Sequence, residues 1–424
     1  MKVFKFGGAS VKDAEGIINL GKIVAEEKEN LVIVVSAFGK TTNALEGLLK
    51  AWLKGDKNYE NLLASIYESH LDVIKNLFNT PETVREKTDI QFDKLKEFLS
   101  SVNFSSYDHD YDQVVSYGEL WSTIIVAEYL KTQLPSVSWI DIREKFITDD
   151  KYREGNLMWV ESSNRVKAAF NFEKFRVYVT QGFIGGTSTG KTTTLGREGS
   201  DYTAAILANI LDAEKAVVWK DVPGIMNADP KWFDGAEILE EISYKEAVEL
   251  TFSGAKVIHP KTIKPLHNKN IPLYVRSFME TDNKGTVIKS DATLKKVIPV
   301  FVRKEEQILI SILPKDLSFV MGENLGKIFH SFQQHGIKVN LVEASAVSLD
   351  VCVDDDRPKV ESFIKDNKSD FSVVYNENAE LLSIRHYTPD SVEKLIKDRE
   401  ILLEQRTRST VRFVVRRIAS LRSQ

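Results

Sequence analysis

The run Leu31–Val35, LVIVV, limits the fold more than any other stretch of the chain. Five aliphatic residues, four of them β-branched, are too few for a buried helix. They also lack the alternation of a sheet with one wet face, so they read as a strand covered on both sides. Val3–Phe6 is a second short apolar run, and it ends in Gly7-Gly8. Between the two lies a helical pattern in which Ile17, Ile18, Leu20 and Ile23 alternate with charges. Strand, glycine turn, helix and strand open an α/β layer fold with a parallel sheet. The rhythm returns at Val137–Ile140, ending at Asp141, at Arg176–Thr180, ending at Gln181-Gly182, and at Ala216–Trp219, ending at Lys220-Asp221. Polar or glycine-bearing turns thus follow the strand C-termini, where open parallel sheets bind ligands.

From Leu45 to Val102 the pattern is helical, with Leu63, Ile66, Tyr67, Leu71, Ile74 and Leu77 on one face. This stretch is expected to cap the sheet, with His70 at a helix surface or packing edge. Near residue 290 the texture changes to short strands and helices. Ile308–Leu313, Leu325–His335, Val339–Val342, Val347–Val353, Pro358–Lys365 and Phe371–Tyr375 give the order βαββαβ, a ferredoxin-like α+β unit. Leu381–His386, Ser391–Lys397 and Val411–Val415 suggest an incomplete second copy, whose missing strand could be Val297–Arg303. The expected division is 1–290 for the α/β domain and 291–424 for the tandem region. The first unit of that region spans 306–376, and the second spans 295–305 plus 377–424.

A length of 424 residues implies two or three domains, and 42% hydrophobic residues suffice for their cores. The net charge of −4 lacks the basic excess of a nucleic-acid binder. Cys352 is the single cysteine, so no intrachain disulfide can form, as suits a reducing compartment. MKVFKFGG runs straight into a strand without a signal-peptide core, and no apolar run could span a bilayer. The expected location is cytoplasmic.

Five motifs carry chemistry. In KFGGAS, Lys5–Ser10, glycines allow backbone N–H groups near a phosphate, and Lys5 can reach a phosphoryl oxygen. In SYGELWS, Ser116–Ser122, Glu119 lies just inside a helix, where the macrodipole favours it or where it could grip an ammonium. Thr180–Ala205 contains a decoy: Gly185–Thr192 fits GxxxxGK[ST] after a strand. A P-loop passes directly into a long helix, whereas Gly196 and Gly199 interrupt here. The stretch reads instead as a mobile Thr/Gly-rich hairpin leading into GREGSD, with Arg197 able to fork onto a carboxylate and Ser200 or Asp201 as helix cap. KDVPGIMNADPK, Lys220–Lys231, is a double turn suited to a nucleotide, and FSGAKVIHP places Lys256 near a helix end. No metal-ligand spacing appears, so any Mg²⁺ would arrive with the nucleotide.

KFGGAS, VVSAFGKTTNAL, SYGELWS, TQGFIG, TLGREGSDYTA, DVPGIMNADP and SGAKVIHP, in this order, resemble the aspartate kinase signature series. The tail resembles that family's paired ACT regulatory domains. The resemblance implies the amino acid kinase fold, a mainly parallel sheet sandwiched by helices, and transfer of the ATP γ-phosphate to L-aspartate. It implies that Lys5, with Gly7 and Gly8, meets the transferring phosphoryl group. It implies that Thr42, Glu119, Phe183 (through its backbone), Arg197 and Ser200 hold aspartate. Asp201 would orient the phosphate-binding lysine. Ser36, Lys220, Asp221, Met226, Lys231 and Lys256 would line the ATP site, with Lys5, Asp201 and Lys256 catalytic. It further implies a homodimer or dimer of dimers and an amino-acid effector at the ACT region.

Some positions depart from the family pattern. Met226 stands where tyrosine is common, Lys231 where arginine is common, and Glu198 in a loop usually written with two glycines. Ala344-Ser345-Ala346 replaces the Thr-Ser-Glu run of the effector segment, which predicts weak or altered feedback by lysine or threonine. The chain ends at Gln424, and a monofunctional enzyme is expected. The alternatives are a sibling kinase for glutamate, acetylglutamate or a nucleotide, a catalytically dead amino-acid sensor, and a P-loop NTPase dependent on Lys191.

Overall fold

The computed structural model describes residues 1–101, 104–255, 258–292 and 298–417, in two compact units. The first unit comprises Met1–Ile225, Ile238–Val248 and Val257–Thr293. Its sheet contains β1 (Lys2–Phe6), β2 (Leu31–Val35), β3 (Val137–Ile140), β5 (Val177–Gln181) and β8 (Lys215–Lys220), with β9 (Glu241–Ser243), β10 (Leu273–Ser277) and β11 (Thr286–Lys289). A small second sheet holds β4 (Ile147–Thr148), β6 (Ile184–Thr187) and β7 (Thr192–Thr194). The large sheet runs β3-β5-β2-β1-β8-β10-β11-β9, and only the β10–β11 pairing is antiparallel. All five residues of β2 are buried, as a strand covered on both faces requires.

The strand period of two decides where the chemistry points. Phe4, Phe6, Leu31, Ile33, Val35 and Trp219 pack with Ile17, Leu20 and Val24 of α1 (Ala14–Glu26) and Ile125 and Leu130 of α6 (Tyr117–Gln133). Lys5 therefore points to the opposite face, where it meets α8 (Gly199–Ile210). The C-terminal ends of β5, β2, β1 and β8 lie side by side. They bring Gly182, Ser36, Gly7 and Lys220 to one edge of the sheet.

The helical stretch forms α2 (Thr41–Leu53), α3 (Asn58–Leu77), α4 (Glu82–Ser101) and α5 (Tyr107–Val115) around Leu45, Leu49, Phe92, Leu95 and Trp121. His70 is not at a surface or packing edge: it is only 1% exposed. Its ring stacks on Phe38 at 5.5 Å and meets Phe92 and Trp121 edge-on. Its Nδ1–H donates to the Ile66 carbonyl at 2.7 Å, and burial pushes its pKa down to about 4, so the ring is neutral.

The Gly185–Thr192 decoy forms a β6–β7 hairpin, not a loop feeding a helix, and Lys191 is exposed at its tip. The hairpin strands are tied to α5. Asp112 accepts from both the N–H and the Oγ1 of Thr194, at 2.8 and 2.7 Å. Gln113 exchanges two bonds with the Thr192 backbone. The remaining helices here are α7 (Trp159–Ala169), α9 (Tyr244–Ser253) and α10 (Pro260–His267).

The second unit comprises Leu294–Gln424 together with Met226–Glu237 and Glu249–Lys256. A single cut at residue 290 therefore misses two segments that pack with the tail. The sheet runs β13-β14-β12-β15-β17-β16, all antiparallel. Its strands are β12 (Val300–Pro314), β13 (Val339–Ala344), β14 (Leu349–Asp354), β15 (Phe371–Arg385), β16 (Arg399–Arg406) and β17 (Thr410–Arg417). Its helices are α11 (Glu323–Gln334), α12 (Arg357–Asn367) and α13 (Pro389–Ile396). Both ferredoxin-like ACT halves are present, but they share strands. β12 joins the two runs expected at 297–303 and 308–313, and β15 joins 371–375 to 381–386. Residues 293–297, which include the start of the expected second unit, lie outside the described residues. Ala228, Trp232, Phe233 and Ala236 pack on the second half against Phe301, Leu382 and Ile384. They cover apolar surface in the half that has a single helix, α13.

Candidate active site

A cavity of about 880 Å³ opens at the sheet edge just described, walled by first-unit residues. Its floor is a charge triad. Lys5 Nζ lies 2.6 Å from Asp201 Oδ1, and Lys220 Nζ lies 3.6 Å from Asp201 Oδ2. Asp201 is 3% exposed and sits in the first turn of α8, where the helix dipole favours an anion. Burial alone would raise its carboxyl. The Lys5 and Lys220 charges outweigh that and hold it below the usual carboxylate range. Gly7 lies beside this floor: a Cβ there would stand 3.5 Å from Lys5 Nζ, in ordinary van der Waals contact. At Gly8 a Cβ would meet the Ala37 carbonyl at 2.7 Å, so only glycine lets β1's loop close on β2's.

Neither Ser200 nor Asp201 caps α8. Glu198 holds the cap position with φ 53° and makes no side-chain cap bond. This accounts for the glutamate in GREGSD: its carboxylate accepts from the His259 N–H at 2.7 Å, tying the loop to the start of α10. Ser200, 8% exposed, lies in the first turn facing Gly182, where a Cβ would come within 2.4 Å of the serine Cβ.

Glu119 and Arg197 also line the cavity. Glu119 is 2% exposed on the first turn of α6, and its Oε1 accepts from the Ala37 N–H at 3.4 Å. Its Oε2 is buried without a partner. Burial pushes this carboxyl up to about 8, against the pull of the backbone donors. Arg197 is exposed to the cavity and makes no ion pair among the described residues. Thr42 and Ser36 line the wall as well. Phe183 also lines it, but its N–H donates to Thr203 Oγ1 at 3.1 Å and its carbonyl accepts from the Leu195 N–H at 2.8 Å. Its backbone can offer a ligand only the second lone pair of that carbonyl.

The expected nucleotide residues divide. Lys5, Ser36 and Lys220 line the cavity, with Gly7 beside Lys5 and Gly8 against Ala37 and Gly39. Asp221 is exposed in the turn after β8, and it does not line the cavity. Met226 and Lys231 belong to the segment that joins the second unit. Lys256 lies outside the described residues. Conversely, Asp108, Tyr111, Lys151, Tyr152, Arg153 and Glu154 line the cavity without belonging to any of the five motifs. YDHDYD and DDKYREGN carry them, polar runs whose only signal is their density of charge and tyrosine. Among the described residues no cluster of three or more His, Cys, Asp or Glu is placed to hold a metal. No described helix is long and apolar enough to cross a membrane.

A parallel sheet with a lysine–aspartate–lysine triad at its C-terminal edge defines a site for charged ligands. Residues 1–277 match the amino acid kinase family, and the chain belongs to it. Its relatives within that family are aspartokinases. Lysine-sensitive aspartokinase 3 of Escherichia coli K12 is 30% identical over 354 residues, 83% of this chain and 78% of the relative. Chloroplastic aspartokinase 1 of Arabidopsis thaliana is 32% identical over 363 residues, 83% of this chain and 63% of the relative. The chain spans 39% of the bifunctional aspartokinase/homoserine dehydrogenase 1 of Zea mays, with 28% identity. The crystal structure of E. coli aspartokinase III in complex with aspartate and ADP matches with a TM-score of 0.82 at 26% identity, covering 98% of this chain and 96% of that one. The same E. coli protein in complex with lysine and aspartate matches with a TM-score of 0.81 at 26% identity, with the same coverage.

Proposed function

We propose that this protein is an aspartate kinase, transferring the γ-phosphate of ATP to the side-chain carboxylate of L-aspartate to give 4-phospho-L-aspartate. The step belongs to the formation of lysine, threonine and methionine. One observation carries the reading: a buried carboxylate with an orphaned oxygen, Glu119, and an unpaired guanidinium, Arg197, share a cavity with a paired-lysine floor. Glu119 suits an α-ammonium, Arg197 an α-carboxylate, and Lys5 the reacting end. Ser200 and Thr42 add hydroxyl donors at the wall.

The side-chain carboxylate of aspartate is already ionised at pH 7, so no general base is needed. One carboxylate oxygen attacks the γ-phosphorus, its P–O bond forms, the β,γ-bridging P–O bond breaks, and ADP leaves. The chain's task is to hold two anions in line and to neutralise charge, through Lys5, Lys220 and the α8 N-terminus. Asp201 holds the lysine heads in place. Of the two buried cavity carboxylates, Asp201 is engaged by both lysines and Glu119 is set for an ammonium. Mg²⁺ would therefore be held by nucleotide phosphates, where it supplies further charge neutralisation. Asp221, Met226, Lys231 and Lys256 remain the proposed nucleotide contacts on the sequence resemblance.

The test is an assay with ATP, Mg²⁺ and hydroxylamine, which traps an acyl phosphate as a coloured hydroxamate. Product from aspartate and none from glutamate is expected; the reverse would move the assignment to a sibling kinase. On the same reading the protein forms a homodimer or a dimer of dimers, to be checked by light scattering. Ala346 in the effector segment lacks a carboxylate for an effector ammonium, so half-inhibition by lysine is expected only above about millimolar, a weak-binding regime.

A further inference from the structure

Three residues other than glycine adopt a left-handed backbone on the cavity wall: Arg153 at φ 66°, Phe183 at 71° and Glu198 at 53°. Such positions favour glycine, and side chains kept there in spite of the strain cluster at functional sites. Two of the three have a structural reason in view. Phe183 packs its ring on the helical cluster, and Glu198 ties the His259 N–H. Arg153 differs. Its N–H donates to Asp112 Oδ2 at 2.8 Å, a bond that glycine would make equally well. What the position gains from arginine is the side chain.

That side chain is held but not satisfied. The guanidinium lies over the Tyr111 ring at 4.4 Å and near that of Tyr107 at 5.8 Å. Its one described carboxylate partner, Asp108, stands 3.6 Å away, beyond hydrogen-bonding length, and both side chains are about half exposed. Exposed pairs of this kind contribute little and exchange readily. A ring beneath the guanidinium fixes its plane and leaves its edge donors for a carboxylate. The backbone locates the edge as well. A Cβ on Gly196 would lie 3.2 Å from the Arg153 carbonyl, so this loop abuts the residue before Arg197. Asp112, fully buried, joins the two by accepting from Arg153 and from Thr194, three residues before Arg197.

We propose that Arg153 is a second guanidinium for the α-carboxylate of the amino-acid substrate, beside Arg197. The proposal rests on the aspartate kinase reading and refines it: the substrate would be recognised as an α-amino acid by one carboxylate and two arginines. Asp108 holds the Arg153 charge until substrate displaces it.

The test uses the full chain with Arg153→Gly and Arg153→Met. Glycine suits the backbone and keeps the bond to Asp112; methionine keeps an apolar stem against the tyrosines without charge. Both are expected to raise KM for aspartate about tenfold, as losing one charged hydrogen bond does, with kcat within about threefold. Preference for aspartate over its α-amide should shrink by the same factor. An unchanged KM in either variant overturns the proposal, because the charge would then be dispensable. Calorimetric titration with aspartate, without nucleotide, separates this from the parent reading. If the wild-type chain binds aspartate but forms no hydroxamate, the kinase reading fails, and Arg153 is judged on Kd by the same factor. If it does not bind aspartate at all, both fall.

Discussion

The two buried carboxylates of the cavity are held on opposite plans. At the floor, Lys5, Asp201 and Lys220 satisfy one another, and Asp201 stays ionised although it is buried. Glu119, equally buried, has a carboxyl raised to about 8, with one oxygen unpartnered. Burial is common to both; the neighbouring cation is what differs. A protein supplies that cation itself where it needs a permanent scaffold, and leaves it out where the ligand will bring one.

Lys5→Ala is the strongest attempt to break this contrast. It should lower kcat about a thousandfold, the upper range for removing a preorganised group aimed at developing charge. The hydroxamate assay measures it, with circular dichroism to show the fold intact. Substantial remaining turnover would falsify the assignment of the floor to phosphoryl transfer.

Glu119→Gln addresses the other carboxylate, and its effect should fall mainly on KM for aspartate, by about a hundredfold for a buried charge pair. The wild-type pH profile sharpens this. With the carboxyl near 8 in the free site, an ammonium must compete with a proton. KM should fall by up to about tenfold per pH unit as pH rises toward 8 and then level off. Glutamine should flatten that slope. The sign for stability is opposite. The folded value exceeds the unfolded one of about 4.5, so the contribution of this acid is complete below 4.5 and is lost as pH rises through about 8. Bound aspartate should restore it, giving a larger ligand-induced rise in Tm at pH 8 than at pH 6.

Lys191→Ala should do least, within about twofold on every kinetic constant, as for an exposed residue without a structural task. A loss comparable to that of Lys5→Ala would revive the P-loop reading and undo the assignment of both carboxylates.

Much of this was legible in the sequence. Unbroken apolar strands ending in glycine or polar turns fixed the sheet and the edge that carries Lys5, Ser36, Gly182 and Lys220. Gly196 and Gly199 were enough to reject a P-loop. The cap of α8 was misread because Glu198 occupies a left-handed position that a sequence marks only when it is glycine. His70 was misread because α3 packs its face against aromatic rings from three other segments, which no local period reveals. The wall made by Asp108, Tyr111 and Arg153 went unseen for a similar reason: charged runs look alike whether they face water or a substrate.

The two long strands of the second unit have a mechanical consequence. β12 and β15 each run through both halves of the sheet and pair along their length, interrupted by irregular register around Lys304–Gln307. Two domains joined by side-chain contact can slip or swing apart. Two joined by a common pair of backbones cannot, and a torque applied to one half is delivered to the other as twist. Around the irregular stretch the register shifts, and a bulge of that kind bends its strand and adds twist, so the two halves share a bent pair of backbones from Val300 to Pro314.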